Sequence, residues 1–388
     1  MSASGPRVLV TDAEDRPGVA AIRCLHSSGF VVTAAGRGWW APGLWSRECS
    51  ARFVVRSRSE EVDTYVAGLE RVLRKRPQEV LLPGTDETLF AVSSRRERLE
   101  PHVRLGLPGR EAVARALSKE QLAVSAAQAG LPTPEGVVCD DYDEALAAAR
   151  DFGFPVLVKG VDAIIEREGR IVRFPTQLAR DEAELAGAQQ RIGHCIVQRR
   201  MIGRMSAFLG VATDQGLLGM VLSRYRRTWP PVAGMASFAE TAEVPPSLAE
   251  RVGAIVEGLG WRGVFQLQMI EDDNGDRWPI DFNPRLFGSM GIARAAGVPL
   301  STLWCRWLLG ERPAPQVGRP GATYRWEQGD ARNIVWQLRQ GDTREAIAAA
   351  RPKPGTIHPY FELRDPLPFV AQVGELAGVV VRRATGRR

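Results

Sequence analysis

Short apolar, β-branched runs alternate with amphipathic helical patterns over the first hundred residues of this 388-residue chain. The predicted strands lie at residues 8–10, 31–33, 53–55 and 80–82, and the predicted helices near 17–28 and 60–74. Strands that alternate with helices, joined by loops rich in Gly and Asp, are typical of a parallel sheet covered by helices. The pattern predicts a small doubly wound α/β domain at the N-terminus.

The pattern changes beyond residue 110. A helical pattern over 111–129 ends at Gly130-Leu131-Pro132, where glycine can adopt positive φ and proline cannot continue the helix. Antiparallel strands packed by two helices are predicted over 136–190, and a run at 195–203 is predicted to start a larger sheet that continues to residue 282. A Pro- and Gly-rich stretch at 312–321 predicts a boundary before a C-terminal tail.

Two acidic residues, Asp86 and Glu87, follow the fourth predicted strand of the first domain. They lie at the carboxyl end of the strand, where open α/β sheets place ligands. Contact with a substrate is one explanation for them. An N-cap of the next helix by Thr85 or Asp86 explains them equally well, and both interpretations stay open.

A short segment ending in glycine combines an acid, an amide and a cation at Asp281, Asn283 and Arg285. In an extended strand, side chains alternate, so these three point to one face. Mg²⁺ prefers oxygen ligands in near-octahedral geometry and usually shares nucleotide phosphate oxygens, while a guanidinium can bind a phosphate or a carboxylate with two hydrogen bonds. The segment predicts a magnesium site that also handles phosphate.

Four segments, in their order along the chain, resemble motifs of the ATP-grasp superfamily. Residues 281–285 are similar to its last motif, and Gln268 stands where the family places an earlier acid on a neighbouring strand. Residues 117–121 with 130–134 look like the entry to its nucleotide domain, and 154–159 look like its lysine strand. The resemblance covers roughly residues 1–310.

The resemblance implies an α/β protein of ATP-grasp architecture in four parts. They are an N-terminal doubly wound parallel-sheet domain (1–112), a small α+β lid with its linking helix (113–192), a larger antiparallel-sheet nucleotide domain with the metal site (193–312), and a C-terminal tail module (313–388).

The activity that the resemblance implies is that of an ATP-dependent carboxylate–amine ligase. Such an enzyme activates a carboxylate as an acylphosphate, joins it to an amine, and releases ADP and phosphate. By resemblance, Lys119 and Lys159 contact ATP phosphates, and Mg²⁺, with Mn²⁺ as an alternative, is held by Gln268, Asp281 and Asn283. The adenine hinge is Gln198, Arg199, Arg200 and Met201. The candidate catalytic residues are Arg285, Arg227 and Lys159, and further candidates for substrate contact are Asp86, Glu87, Arg224, Gly288 and Ser289.

The metal motif departs from the family pattern, because Gln268 is neutral and Asp281 is shorter than the usual glutamate. A non-catalytic or regulatory nucleotide-binding protein is therefore an alternative. A second alternative is a bicarbonate ligase of the biotin-carboxylase or carbamoyl-phosphate type.

The composition of the chain indicates which kinds of molecule the protein binds. The net charge is +6, yet Lys and Arg are interspersed with acids and no nucleic-acid-binding signature is present. No apolar window is long enough for a membrane span, no secretory signal is indicated, and the five cysteines lack disulfide or zinc spacing. We expect a cytoplasmic protein that binds small-molecule carboxylates and amines but neither nucleic acid nor membrane, with a homodimer as one option.

Overall fold

The computed structural model describes residues 5–55, 61–231 and 234–384, with side chains up to residue 376. The predicted start of the second helix, at residue 60, lies outside the described residues.

The N-terminal domain contains a five-stranded parallel sheet in the order β3-β2-β1-β4-β5. Its strands are β1 (Arg7–Val10), β2 (Val31–Gly36), β3 (Cys49–Val54), β4 (Val80–Leu82) and β5 (Arg104–Leu105). Its helices are α1 (Arg16–Ser27), α2 (Val62–Lys75), α3 (Asp86–Ser94) and α4 (Arg96–Leu99), with a 3-10 helix at Pro42–Trp45. The predicted doubly wound domain is confirmed.

The helical pattern over 111–129 forms two helices, α5 (Arg110–Leu117) and α6 (Lys119–Gln128). They are separated by Ser118, which is extended and forms an isolated β-bridge with Asp162. The Ser118 side chain accepts a hydrogen bond from the Gln121 amide and so caps α6. Because capping requires a non-helical backbone, α6 begins at Lys119.

A second, four-stranded antiparallel sheet has the order β10-β7-β11-β6. Its strands are β6 (Gly136–Cys139), β7 (Val156–Gly160), β10 (Gln177–Ala179) and β11 (Cys195–Arg199), packed by α7 (Tyr142–Phe152) and α8 (Glu182–Ile192). The expectation that residues 195–203 start the larger sheet is wrong, because β11 pairs with β7 and β6. A separate hairpin, β8 (Ile164–Arg167) and β9 (Arg170–Arg173), follows β7.

The large sheet has seven strands in the order β16-β15-β12-β13-β14-β18, with β17 paired to β13. These are β12 (Arg204–Thr213), β13 (Gly216–Trp229), β14 (Met235–Ala242), β15 (Gly263–Glu271), β16 (Arg277–Asn283), β17 (Gln316–Val317) and β18 (Thr323–Arg325). The remaining helices are α9 (Pro246–Gly258), α10 (Gly291–Ala295), α11 (Leu300–Leu308), α12 (Glu327–Arg339), α13 (Thr343–Ala350) and α14 (Leu367–Ala384).

The C-terminal segment contributes two strands to the large sheet, since β17 and β18 lie beyond residue 312 and pair with β13 and β14. One buried apolar cluster also joins the N-terminal domain to this sheet through α5, α6 and α9. Within the described ranges, no helix is both long and apolar enough to cross a bilayer.

Candidate functional site

The register between β15 and β16 groups the candidate metal ligands. Gln268 lies opposite Asp281, and Gln266 lies opposite Asn283. Side chains of directly opposed residues share one face of an antiparallel pair. Asn283 Nδ2 accordingly donates to Asp281 Oδ2 at 3.0 Å and to Gln266 Oε1 at 3.3 Å. The sequence reasoning missed Gln266, although strand alternation two residues before Gln268 could have indicated it.

The two candidate phosphate lysines come from different elements and meet at this strand. Lys119 is the first residue of α6, its amide donates to Val161 O, and its ammonium pairs with Asp281 Oδ1. Lys159 lies on β7, and its Nζ donates to Gln198 Oε1 at 2.7 Å and to Ile280 O at 3.3 Å. Both ammonium groups therefore reach β16 from the side of the small sheet.

The pKa of Lys159 is lowered to about 8. Burial is the main cause, because it disfavours the charged amine, and the neighbouring charge of Lys119 acts in the same direction. Asp281 opposes both effects. Lys159 is thus a buried cation that an anionic ligand would stabilise.

A cavity of about 460 Å³ lies between the small and the large sheet and brings most of the predicted site residues together. The predicted residues in its lining are Asp86, Lys119, Lys159, Gln198, Arg199, Arg200, Met201, Gln268, Asp281 and Asn283. Among the described residues that line it, Arg173 of β9 was not expected from the sequence.

Arg285 lies at the edge of this cavity and is held by Asp86. Its Nε and Nη2 bind the two Asp86 carboxylate oxygens at 2.7 and 2.9 Å, and Nη2 also contacts Asn283 Oδ1 at 2.9 Å. Burial raises the pKa of Asp86, but the Arg285 charge and hydrogen bonds outweigh it, so this pKa is lowered. Thr85 caps α3, which leaves Asp86 free to orient Arg285. Arg173 Nη2 lies 3.4 Å from Asp86 Oδ2, and Arg173 Nη1 lies 3.9 Å from Glu87 Oε1.

No family model matches the chain. The C-terminal section of a carbamoyl phosphate synthase large chain from Methanopyrus kandleri is 29% identical over 201 residues, which are 48% of this chain and 36% of that protein. A phosphoribosylamine–glycine ligase from Xanthomonas axonopodis pv. citri is 25% identical over 179 residues, 41% of either chain. The chain thus spans less than half the length of both relatives.

Solved structures share the arrangement of sheets. The biotin carboxylase domain of Hydrogenobacter thermophilus 2-oxoglutarate carboxylase, crystallised with MgADP, ADP and bicarbonate, superposes with a TM-score of 0.62 at 18% identity. The superposition covers 82% of this chain and 73% of that one. The chain has the ATP-grasp fold.

Two of the predicted arginines lie away from the cavity. Arg227 binds both carboxylate oxygens of Asp330 on α12 at 2.7 Å and lies over the Phe238 ring. Asp330 also pairs with Arg325 at 3.1 Å. Arg224 is exposed on the same strand as Arg227. Nothing in the local sequence indicated the contact between Asp330 and Arg227, which are a hundred positions apart along the chain.

Gly288 and Ser289 lie in the turn after β16, and neither is among the described residues that line the cavity. Ser289 Oγ lies 3.5 Å from Gln266 Nε2, and the Gly288 carbonyl accepts from the Tyr324 hydroxyl at 2.9 Å. The Tyr225 hydroxyl accepts from Gln266 and Gln268 at 3.3 and 3.4 Å. Burial raises the pKa of Tyr225, so its hydroxyl stays protonated and holds both amides.

Proposed function

We propose that the chain is an ATP-dependent ligase that activates a carboxylate as an acylphosphate and joins it to an amine. The observation that carries this proposal is the convergence of Lys119, Lys159, Asp281 and Asn283 on one cavity. Its volume of about 460 Å³ is typical of small-molecule sites. The similarity to a carbamoyl phosphate synthase and to a phosphoribosylamine–glycine ligase supports the same class of chemistry.

The nucleotide is proposed to lie between the two sheets. The segment Gln198–Met201 would contact adenine, because its backbone and its amide side chain offer both donors and acceptors beside the apolar Met201. Lys119 and Lys159 would then face the phosphates. Phosphoryl transfer depends mainly on positioning and on neutralising charge, which two ammonium groups at fixed positions provide.

The donor set fits one magnesium ion. Asp281 offers a carboxylate, and Asn283 and Gln268 offer amide oxygens, all of them hard ligands. The Asp281 carboxylate pairs with the Lys119 ammonium and so already holds a cation, and Mg²⁺ would take this carboxylate in place of the ammonium. Mg²⁺ held here by Gln268, Asp281 and Asn283 would neutralise charge on the phosphates, and Mn²⁺ has similar ligand preferences.

In the proposed reaction, a substrate carboxylate oxygen attacks the γ-phosphorus and ADP leaves. The amine nitrogen then attacks the acyl carbon, phosphate leaves, and the amine proton passes to solvent. Arg285, oriented by Asp86 and Asn283, would stabilise negative charge that develops on the transferred group. The protein itself supplies no nucleophile in this scheme.

A bicarbonate ligase is the second candidate function. Two observations favour it: the similarity to a carbamoyl phosphate synthase and the bicarbonate in the superposed biotin carboxylase domain. In that case bicarbonate is the carboxylate that receives the phosphoryl group. Formation of ADP that depends on added bicarbonate, in buffers depleted of carbon dioxide, would distinguish it from a ligase of organic acids.

Two measurements test the ligase. Calorimetry with Mg-ATP should detect binding to the folded protein, and hydroxylamine should trap a hydroxamate when ATP and a panel of carboxylates are supplied. Absence of ATP binding would contradict both the ligase and the nucleotide-binding alternative. The non-catalytic protein would instead be supported by three results together. ATP binds, no carboxylate gives a hydroxamate, and ADP formation does not depend on bicarbonate.

A further inference from the structure

The guanidinium of Arg16, at the start of α1, packs against Trp326 and Gly288 close to the candidate site. It lies over the Trp326 ring at 4.0 Å from the centroid. On another side it contacts the backbone at Gly288, where an added Cβ would stand 2.9 Å from Nη2. Nη1 donates to the Tyr324 hydroxyl and Nη2 to Met235 Sδ, both at 3.2 Å. These four contacts hold the guanidinium in position.

Arg16 differs in charge environment from the other arginines around the site. Arg285 is paired with Asp86, and Arg227 with Asp330. Within the described residues, no aspartate or glutamate forms an ion pair with Arg16, whose hydrogen bonds go to a neutral hydroxyl and a thioether. A guanidinium has five N–H donors, so several of them remain for a ligand. The Arg16 side chain is half-buried, so part of it is exposed to solvent.

Arg16 also borders the region where the substrate must lie. Met235, which it contacts, lines the nucleotide cavity. Gly288, on which it packs, lies on the turn that begins with Arg285. The Tyr225 hydroxyl accepts hydrogen bonds from Gln266 and Gln268. Burial raises the pKa of Tyr225, and the positive charge of Arg16 opposes this rise, so Arg16 lies near that hydroxyl. An anion bound to Arg16 would lie beside the proposed transfer site, on the side of the N-terminal domain.

We propose that Arg16 binds an oxyanion of the non-nucleotide substrate, an assignment that rests on the proposed ligase function. The ligand chemistry is a group with two oxygens in one plane, which the guanidinium would bind with two hydrogen bonds. A carboxylate and a phosphate ester both present such a pair of oxygens. Arg227, one of the candidate catalytic residues named from the sequence, is already bound by Asp330.

The test uses inorganic phosphate and acetate as probes, without nucleotide and at constant ionic strength set with sodium chloride. Calorimetry on the wild-type chain should detect saturable binding of at least one probe. Arg16→Gln should weaken that binding by about tenfold or more, the loss expected for a hydrogen bond to a charged group. Arg16→Lys should recover little, because an ammonium is not a planar fork.

Arg312→Gln is the matched control, because Arg312 also stacks on a tryptophan, Trp307, at 4.2 Å. It is exposed and donates to carbonyls in its own segment, so its loss should leave probe binding unchanged. Circular dichroism and a thermal melt establish that each variant is folded. Tighter binding of phosphate indicates a phosphate-bearing substrate, and tighter binding of acetate a carboxylate.

The assignment is overturned if wild type and Arg16→Gln bind each probe with the same affinity. It is also overturned if the folded wild-type protein shows no saturable binding of either probe. Mg-ATP calorimetry on the same samples keeps the two proposals apart. If ATP fails to bind while Arg16 still controls probe affinity, the ligase is contradicted but the anion site stands. If ATP binds and Arg16→Gln leaves probe affinity unchanged, the anion site alone is contradicted.

Discussion

Asp281 is the charged member of the three candidate metal ligands, and Lys119 and Asn283 both contact it. Asp281→Ala should lower phosphoryl transfer at least about a hundredfold, since a ligand and a charge are lost from the point where negative charge develops. Its effect on the free energy of unfolding should stay within about 1 kcal/mol, because the side chain is partly exposed.

Initial rates at limiting Mg²⁺ and a denaturant titration measure these two effects of Asp281→Ala. Asp273→Ala, in the exposed turn of the same hairpin, is the control and should change neither. Turnover near the wild-type rate in Asp281→Ala would rule out a role of this carboxylate in holding the metal.

Lys159 gives the site a dependence on pH. Its pKa is lowered to about 8, so the charge that would attract phosphate is present below that pH and lost above it. The affinity for ATP should therefore fall about tenfold between pH 7 and pH 9, as binding comes to require uptake of a proton. Calorimetry across this range, in buffers of different ionisation enthalpy, measures both the affinity and the proton uptake.

Lys159→Arg provides the comparison, because arginine keeps its charge throughout this range. Its affinity for ATP should vary little with pH beyond the titration of ATP itself. An equal decline in both proteins would show that another group causes the dependence.

At the scale of elements, the β8–β9 hairpin is attached to the N-terminal domain. Glu168 and Gly169 both have positive φ and form its tight turn. The Gly169 carbonyl accepts from the Val62 amide, and Glu166 pairs with Arg95 at 2.9 Å. Since Arg173 at its other end approaches Asp86, the hairpin closes one side of the cavity that is proposed to hold the nucleotide. Entry of a ligand past it requires these contacts to open.

Glu166→Gln should make this opening easier by about 1 kcal/mol, the value of a partly exposed ion pair. Amide hydrogen exchange over residues 164–173 should accelerate about fivefold, while exchange in β7 and β11 stays unchanged. Glu182→Gln removes an exposed ion pair with Arg150, between the two helices that pack on the small sheet, and should not alter exchange in the hairpin. Unchanged exchange in Glu166→Gln would mean that this ion pair does not hold the hairpin.

Across the whole molecule, the C-terminal segment is tied to the large sheet through a buried acid. Asp330 is 3% exposed and neutralises Arg227 and Arg325. Asp330→Asn should destabilise the protein by about 3 kcal/mol, because two largely buried cations lose their partner.

A urea titration measures this change in the free energy of unfolding. Asp342→Asn on the same segment is the control, since asparagine caps α13 as well as aspartate does. A loss below about 1 kcal/mol in Asp330→Asn would contradict this account.

The sequence predicted the parts of the site that depend on local pattern. Strand alternation correctly placed Asp281 and Asn283 on one face, and the order of motifs indicated that Lys119 and Lys159 meet. Helical periodicity continues across Ser118, so it did not reveal the break that starts α6. An apolar run shows that a strand forms but not which sheet it joins, and β11 was therefore assigned to the wrong one.

The strands that complete the large sheet come late in the chain. Until residues 323–325 have been synthesised, β14 lacks its partner β18 and presents unpaired backbone amides and carbonyls at the sheet edge. The growing chain therefore exposes an unpaired strand edge, which can pair with another chain, until the ribosome has added the last strand. A fragment ending in the stretch 312–321 would keep that edge permanently, and such a fragment should self-associate where the longer chain does not.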